Sequence, residues 1–291
     1  MKTVFIAGAT GYLGRFLCAE YSRRGWYVVA LVRNPQSAAV LAADSIVTAQ
    51  ATDASSLKGM MDGADLVVSA LGITRQVDGL SYQDVDYQAN INLLREAERA
   101  GVDRFAYVHV LHADAMLHIP LAAAKAEFVE ALQASTLNST VIAPSGYFSD
   151  MGEVFAMAQA GRIWLFGSGT TRINPIHGAD LASVVANATD AETAWVDAGG
   201  PDAFTQTELA DLAFKAIGRT PHITRLPDIL RKITLSILPR ITPQRVHGPA
   251  QFFLTACAIE MVGTAFGTLR LEDHFQALAA GLDPTSKGGA S

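Results

Sequence analysis

Cysteine is scarce in this sequence: Cys18 and Cys257 are the only two, far apart and each alone. Such a pair is neither a disulfide framework nor a metal-ligand spacing, and it fits a reducing, cytoplasmic setting. Charge is sparse as well. Only 17% of the 291 residues are charged, the formal net charge is -6, and no block of Lys or Arg offsets it. A nucleic-acid phosphate backbone would meet net repulsion, so no nucleic-acid partner is expected. The seven histidines lack HExxH and paired-cysteine contexts, so no metal is expected either. There is no G-x-S-x-G elbow and no GxxxxGK[ST] loop, which disfavours hydrolase and ATPase chemistry. Long apolar runs are also missing. The longest, QFFLTACAIEMVGTAFGTL at 251–269, is interrupted by Glu260, Gly263 and Gly267, and reads as a buried or interface helix rather than a membrane span. The opening MKTVFIAGATG has too short an apolar run for a signal peptide and reads as a strand.

What is abundant is hydrophobic residues, 50% of the chain, enough for a sizeable core. They alternate in type along the sequence. A β-branched run at 3–6 meets glycines, an apolar-periodic helix follows to Gly25, and WYVVALVR at 26–33 reads as a strand covered on both faces. Strands are then expected at 45–50, 64–72, 104–111, 139–148 and 194–200. Helices are expected at about 54–61, within 81–100, and at 119–135, 150–160 and 178–190. This rhythm predicts an α/β fold with a doubly wound, mostly parallel sheet. Residues 1–150, completed by 176–200, form the core, and 151–291 a mainly helical substrate-binding region. Thr205 and Glu208 have capping-box spacing at the start of a helix, and PTSKGGAS at the end reads as a frayed tail.

Three glycines, Gly8, Gly11 and Gly14, lie between the first strand and the first helix. In a dinucleotide-binding β-α-β unit the first permits the turn, the second lets pyrophosphate approach bare backbone, and the third lets helix and strand pack closely. The G-x-x-G-x-x-G spacing is slightly longer than the commonest fingerprint, but its placement fits those three roles. At the end of the second strand stands Arg33, where an acidic residue would hold ribose hydroxyls. A guanidinium there suits a 2'-phosphate, so NADP(H) is favoured over NAD(H). Asp53 has two readings: it reaches the adenine end or it caps the short helix that follows. Ala70, Leu71 and Gly72 close the fourth strand, where a small residue lets the cofactor ribose pass.

On the helix at 119–135, Leu121, Lys125, Phe128 and Leu132 share one stripe, so a lysine has entered an apolar face. The residues alone leave two readings open, a snorkelled stem or a functional ammonium. His112, just past the strand at 104–111, is either a second proton donor or a structural residue. Tyr147 is either a cleft residue or a core one.

Taken together, GATGYLG, VRNP, ATDASSL, SALG, LAAAKAEFVEAL, APSGYFSDMGE and NPIHGADLA resemble the atypical branch of the short-chain dehydrogenase/reductase superfamily. Within it the chain is similar to the NmrA-like, NAD(P)H-binding group that includes divinyl chlorophyllide 8-vinyl reductase and isoflavone-reductase-like enzymes. The similarity runs from residue 1 to about 282. It implies a Rossmann core, a smaller helical carboxy-terminal portion forming a substrate cleft, and cofactor contacts at Gly8, Thr10, Gly11, Tyr12, Leu13, Gly14 and Arg33. It also implies that the loop carrying Pro144 and Gly146 borders the nicotinamide, and that Lys125 is the lysine of the Tyr-x-x-x-Lys pair. The tyrosine does not carry over, because Leu121 stands in its place. The resulting expectation is an NADPH-dependent reductase of an apolar unsaturated or carbonyl-containing small molecule, with Lys125 and His112 as catalytic candidates. The alternative is an NAD(P)-binding redox sensor or assembly protein without turnover. The apolar region from about 226 to 269 adds the expectation of peripheral membrane contact.

Overall fold

The computed structural model describes residues 1–73 and 79–282; the tail expected at 284–291 lies outside the described residues. In chain order the first half comprises β1 (Thr3–Ala7), α1 (Tyr12–Arg23), β2 (Tyr27–Val32), β3 (Ser45–Thr48), α2 (Ala54–Leu57) and β4 (Leu66–Ser69). A π-helical segment, Gln83–Ala89, runs straight into α3 (Asn90–Ala100), followed by β5 (Arg104–Val108), α4 (Pro120–Gln133) and β6 (Asn138–Pro144). Then come α5 (Gly152–Gln159), β7 (Ile163–Phe166), β8 (Arg172–Ile173), α6 (Gly178–Asp190), β9 (Trp195–Gly199), β10 (Phe204–Thr205) and α7 (Gln206–Ala216). The chain closes with β11 (Ile223–Leu226), α8 (Asp228–Ile241), α9 (Gln244–Ala256), β12 (Thr264–Ala265) and α10 (Leu271–Ala279).

An eight-stranded sheet in the order β12-β9-β6-β5-β4-β1-β2-β3 gives the molecule its Rossmann-like α/β character. β1 pairs in parallel with both β2 and β4, so the strand order reverses there. At such a reversal the connections diverge to opposite faces and leave a crevice beyond the carboxyl ends of the strands. Continuous apolar strands make this possible: Val4 to Ala7, Leu66 to Val68 and Phe105 to Val108 are all buried, as expected for a sheet covered on both faces.

Two compact units divide the chain, one of residues 1–143 with 181–196, the other of 144–180 with 197–291. The core of the first gathers Phe5, Leu57, Val67, Leu93, Phe105, Tyr107, Phe128 and Leu132. The second has its own core, with Phe148, Phe155, Ile163, Phe214, Leu271 and Phe275.

Several local expectations change. The apolar run at 251–269 is not one helix: α9 ends at Ala256, and β12 pairs with β9 through Thr264–Ala198 and Ala265–Gly199. Gly263 makes that possible, since a Cβ there would stand 2.9 Å from the Ala198 carbonyl carbon. The strand expected at 139–148 stops at Pro144. The carboxy-terminal half, expected to be mainly helical, carries α7 to α10 together with two small sheets, β10-β8 and β11-β7. The capping box forms as the sequence predicts, Thr205 Oγ1 accepting from the Glu208 N–H while Glu208 accepts from the Thr205 N–H.

Candidate functional site

The glycine turn is dictated by contact geometry. Gly8, directly after β1, has φ +81°, and a Cβ on it would lie 2.8 Å from the Ala70 carbonyl oxygen. A Cβ on Gly14 would stand 2.0 Å from the Gly8 carbonyl oxygen, so α1 can meet the turn this closely only without a side chain there. Gly11 is the N-cap of α1, with no side-chain cap hydrogen bond and no acidic residue in the first turn. The start of α1 therefore presents main-chain N–H groups and the positive end of the helix dipole at the switch point, without an anionic side chain to occupy them. Thr10 uses its carbonyl to accept from Arg15 Nε at 3.1 Å. Tyr12 packs edge-on against Phe16, and Leu13 is buried.

Arg33 follows β2 directly and is exposed. Asn34 beside it caps the short turn Pro35–Ala38, accepting from the Gln36 N–H at 3.0 Å. Asp53 caps α2: its Oδ1 accepts from the Ser55 N–H at 2.9 Å and from Ser55 Oγ at 2.7 Å. The Ser55 bonds hold the Asp53 carboxyl below its ordinary range.

Lys125 is not snorkelled. Its side chain is only 12% exposed, and its Nζ lies 3.3 Å from Asp86 Oδ1, 3.2 Å from the Tyr107 hydroxyl and 3.2 Å from the Val108 carbonyl oxygen. Asp86 is fully buried. Burial pushes its carboxyl up, the Lys125 charge opposes that rise, and the Ile73 N–H adds a bond to Oδ2 at 3.3 Å. Tyr107, also fully buried, has its phenol pushed up to about 12, chiefly by burial. It brings to the lysine the hydroxyl that Leu121 lacks, but from β5 rather than from the helix.

The π-helical segment places Asp86 there. Asn90 Nδ2 donates to the carbonyls of Val85 (3.2 Å) and Asp86 (3.0 Å), and Asn90 Oδ1 lies 2.5 Å from Ser69 Oγ. An amide inserted at these carbonyls accommodates the wider winding, as side-chain insertion into a helical ladder does elsewhere. Exposed main chain at Gly72 covers the ion pair, since a Cβ there would stand 2.6 Å from Asp86 Oδ1 and 3.0 Å from Lys125 Nζ. Gly8, Ala70, Leu71, Gly72 and Lys125 thus form one continuous patch at the carboxyl edge of β1 and β4.

His109, which the sequence reading did not single out, lies in the same neighbourhood. It is buried, its ring centroid is 6.2 Å from that of Tyr107 and 5.8 Å from that of Trp195, and burial together with the Lys125 charge pushes it down to about 3. It is a neutral imidazole near neutral pH. His112 has a different setting, an exposed left-handed turn (φ +53°) whose carbonyl accepts from the Ala115 N–H. Pro144 ends β6, and Gly146 and Tyr147 follow it in the second unit. There the Tyr147 N–H donates to Asp150 Oδ2 at 3.2 Å, and burial pushes the Asp150 carboxyl up to about 6. The missed residues had a signal: Tyr82, Val85, Asp86, Ala89 and Leu93 share a buried helical face, so Asp86 is a charge in an apolar stripe just as Lys125 is.

Among the described residues no group of three or more His, Cys, Asp or Glu could hold a metal, and no helix is long and apolar enough to cross a membrane.

The NAD(P)H-binding family model matches residues 8–192. The chloroplastic divinyl chlorophyllide a 8-vinyl-reductase of Arabidopsis thaliana is 26% identical over 266 residues, covering 82% of this chain and 63% of that protein. A photosystem II assembly factor of Guillardia theta is 27% identical over 234 residues, 77% of this chain and 73% of that protein. This chain therefore spans less than two thirds of the length of the reductase. In fold it is similar to an NADPH-dependent quinone oxidoreductase of Escherichia coli, solved with NADPH, at a TM-score of 0.74 and 21% identity, covering 94% of this chain and 99% of that one.

Proposed function

Because this chain belongs to the NAD(P)H-binding family, we propose that it is an NADPH-dependent reductase of apolar small molecules carrying a conjugated double bond or carbonyl. The observation that carries the reading is the continuous patch from the uncapped glycine turn, through Ala70 and Gly72, to the Lys125–Asp86 pair. The main-chain N–H groups at the start of α1 hold the pyrophosphate, Gly11 leaves the backbone bare for it, and Gly8 and Gly14 let the turn pack against Ala70 and α1 against the turn. Arg33 takes the 2'-phosphate with its forked donors, which makes NADPH the preferred nucleotide. When bound, the nicotinamide supplies the hydride.

Lys125 holds the nicotinamide ribose and keeps positive potential beside the reacting centre. Reduction also needs a proton, at the alkoxide of a carbonyl or at the carbon next to the one that takes hydride, and Lys125 delivers it directly or through water. Asp86 and Tyr107 are buried and act as positioning residues, fixing the ammonium beneath Gly72. Support for the substrate class comes from the relatives, a vinyl reductase by sequence and a quinone oxidoreductase by fold.

The test is single-turnover oxidation of NADPH with quinones and conjugated enones as acceptors. Lys125→Met should abolish turnover while calorimetry still registers NADPH binding. Arg33→Glu should weaken NADPH at least about tenfold and leave NADH little changed.

A second reading, an NADP-binding sensor or assembly protein, draws on the photosystem II assembly factor and on Leu121 in place of tyrosine. It expects tight NADPH binding and no acceptor that consumes the nucleotide.

A further inference from the structure

The helix α8 carries an apolar stripe on its outer side. Ile229, Ile233, Ile237 and Ile241 recur every four residues, each turned about 40° from the last, and are 58%, 44%, 47% and 70% exposed. Leu230 widens the stripe. The opposite side of the helix faces inward: Arg231 is buried, bonds Asp228 at 2.6 Å and donates to the Leu254 carbonyl of α9 at 3.2 Å, with Leu235 and Leu238 half-buried beside it. The isoleucines are therefore surplus to the packing of α8 against its own unit.

Charge is segregated in the same place. Residues 228–256 hold four cationic side chains, Arg231, Lys232, Arg240 and Arg245, against one acid, Asp228, in a chain whose net charge is -6. Lys232, Arg240 and Arg245 are exposed. Aliphatic residues edged by cations differ from a typical protein-binding hot spot, which is rich in Trp, Tyr and Arg anchors. They match a helix lying in the plane of an anionic bilayer, where isoleucines enter the acyl boundary and cations meet phosphate headgroups. α8 is about 21 Å long and too short to span a bilayer.

We propose that the α8–α9 hairpin docks this protein on an anionic membrane surface, with the isoleucine stripe of α8 inserted among the lipids. A membrane address suits a reductase of apolar substrates, but the proposal stands apart from that reading, because it needs neither cofactor nor turnover.

The experiment is vesicle flotation of the full chain, with phosphatidylcholine vesicles containing one part in three phosphatidylglycerol and with phosphatidylcholine alone. The protein should float with the anionic vesicles, poorly with the neutral ones, and less at high salt. Ile233→Glu with Ile237→Glu, and separately Lys232→Glu with Arg240→Glu, should each weaken partitioning at least about tenfold. All four positions are exposed, and the pairs Lys232 makes with Asp228 and Arg240 with Ser236 are surface ones, so thermal melts should shift little; Ile229→Ser with Ile241→Ser serves if a melt shifts. No flotation, flotation indifferent to these substitutions or to lipid charge, or a self-association that Ile233→Glu with Ile237→Glu dissolves would overturn the proposal, the last in favour of a second copy of the chain.

Discussion

Lys125 Nζ donates to the Tyr107 hydroxyl and the Val108 carbonyl and forms an ion pair with Asp86, so its position is set by its neighbours as much as by its helix. Removing the ammonium strands the carboxyl of Asp86 in the core. Lys125→Met should therefore cost roughly 3 kcal/mol of stability, and adding Asp86→Asn should recover most of it. Urea unfolding of the single and double variants checks the cycle, and additive losses would mean the two residues do not act as a pair. His109 gives a second handle. Its folded value is pushed down to about 3 from an ordinary 6.5, so below pH 6.5 the unfolded chain takes up a proton that the folded chain refuses. Stability should fall by roughly 4 kcal/mol as pH drops from about 6.5 toward about 3. His109→Phe should flatten that part of the profile, read from melting temperatures across the range.

At the scale of elements, the π-helical segment is the piece that periodicity could not supply. The sequence predicts one helix within 81–100, and the chain instead winds wide over Gln83–Ala89 before tightening into α3. The cause is a tertiary one: Asn90 bonds two carbonyls of its own segment and the hydroxyl of Ser69 on β4. Asn90→Ala should leave those buried groups short of partners and cost about 2 kcal/mol. It should also move Asp86 relative to Lys125. Hydrogen exchange should show faster opening confined to residues 82–92, and unchanged exchange there would refute the link. The glycine turn is the opposite case, since Gly8, Gly11 and Gly14 announce themselves by position alone.

For the whole molecule, a nucleotide that binds only the folded state stabilises it by mass action. At a hundredfold excess over its dissociation constant NADPH should add about 2.7 kcal/mol. The accompanying protection in hydrogen exchange should centre on residues 8–14 and 66–72, and its absence there would argue against the glycine turn as the binding site. The family model ends at residue 192, so α8 and α9 of the second unit lie outside the matched residues.

Sequence by itself determined the alternation of strand and helix, the glycine turn and the intrusion of Lys125 into an apolar face, because each depends on neighbours within about a dozen residues. Tertiary structure alone decided what meets Lys125. Asp86 and Tyr107 lie 39 and 18 positions away along the chain, and only the parallel sheet and the wide turn before α3 bring them to it. The same holds for the break after Ala256: an apolar run is silent about whether it continues as helix, and the matter was settled by the backbone of β9, which accepts β12 only where Gly263 leaves room.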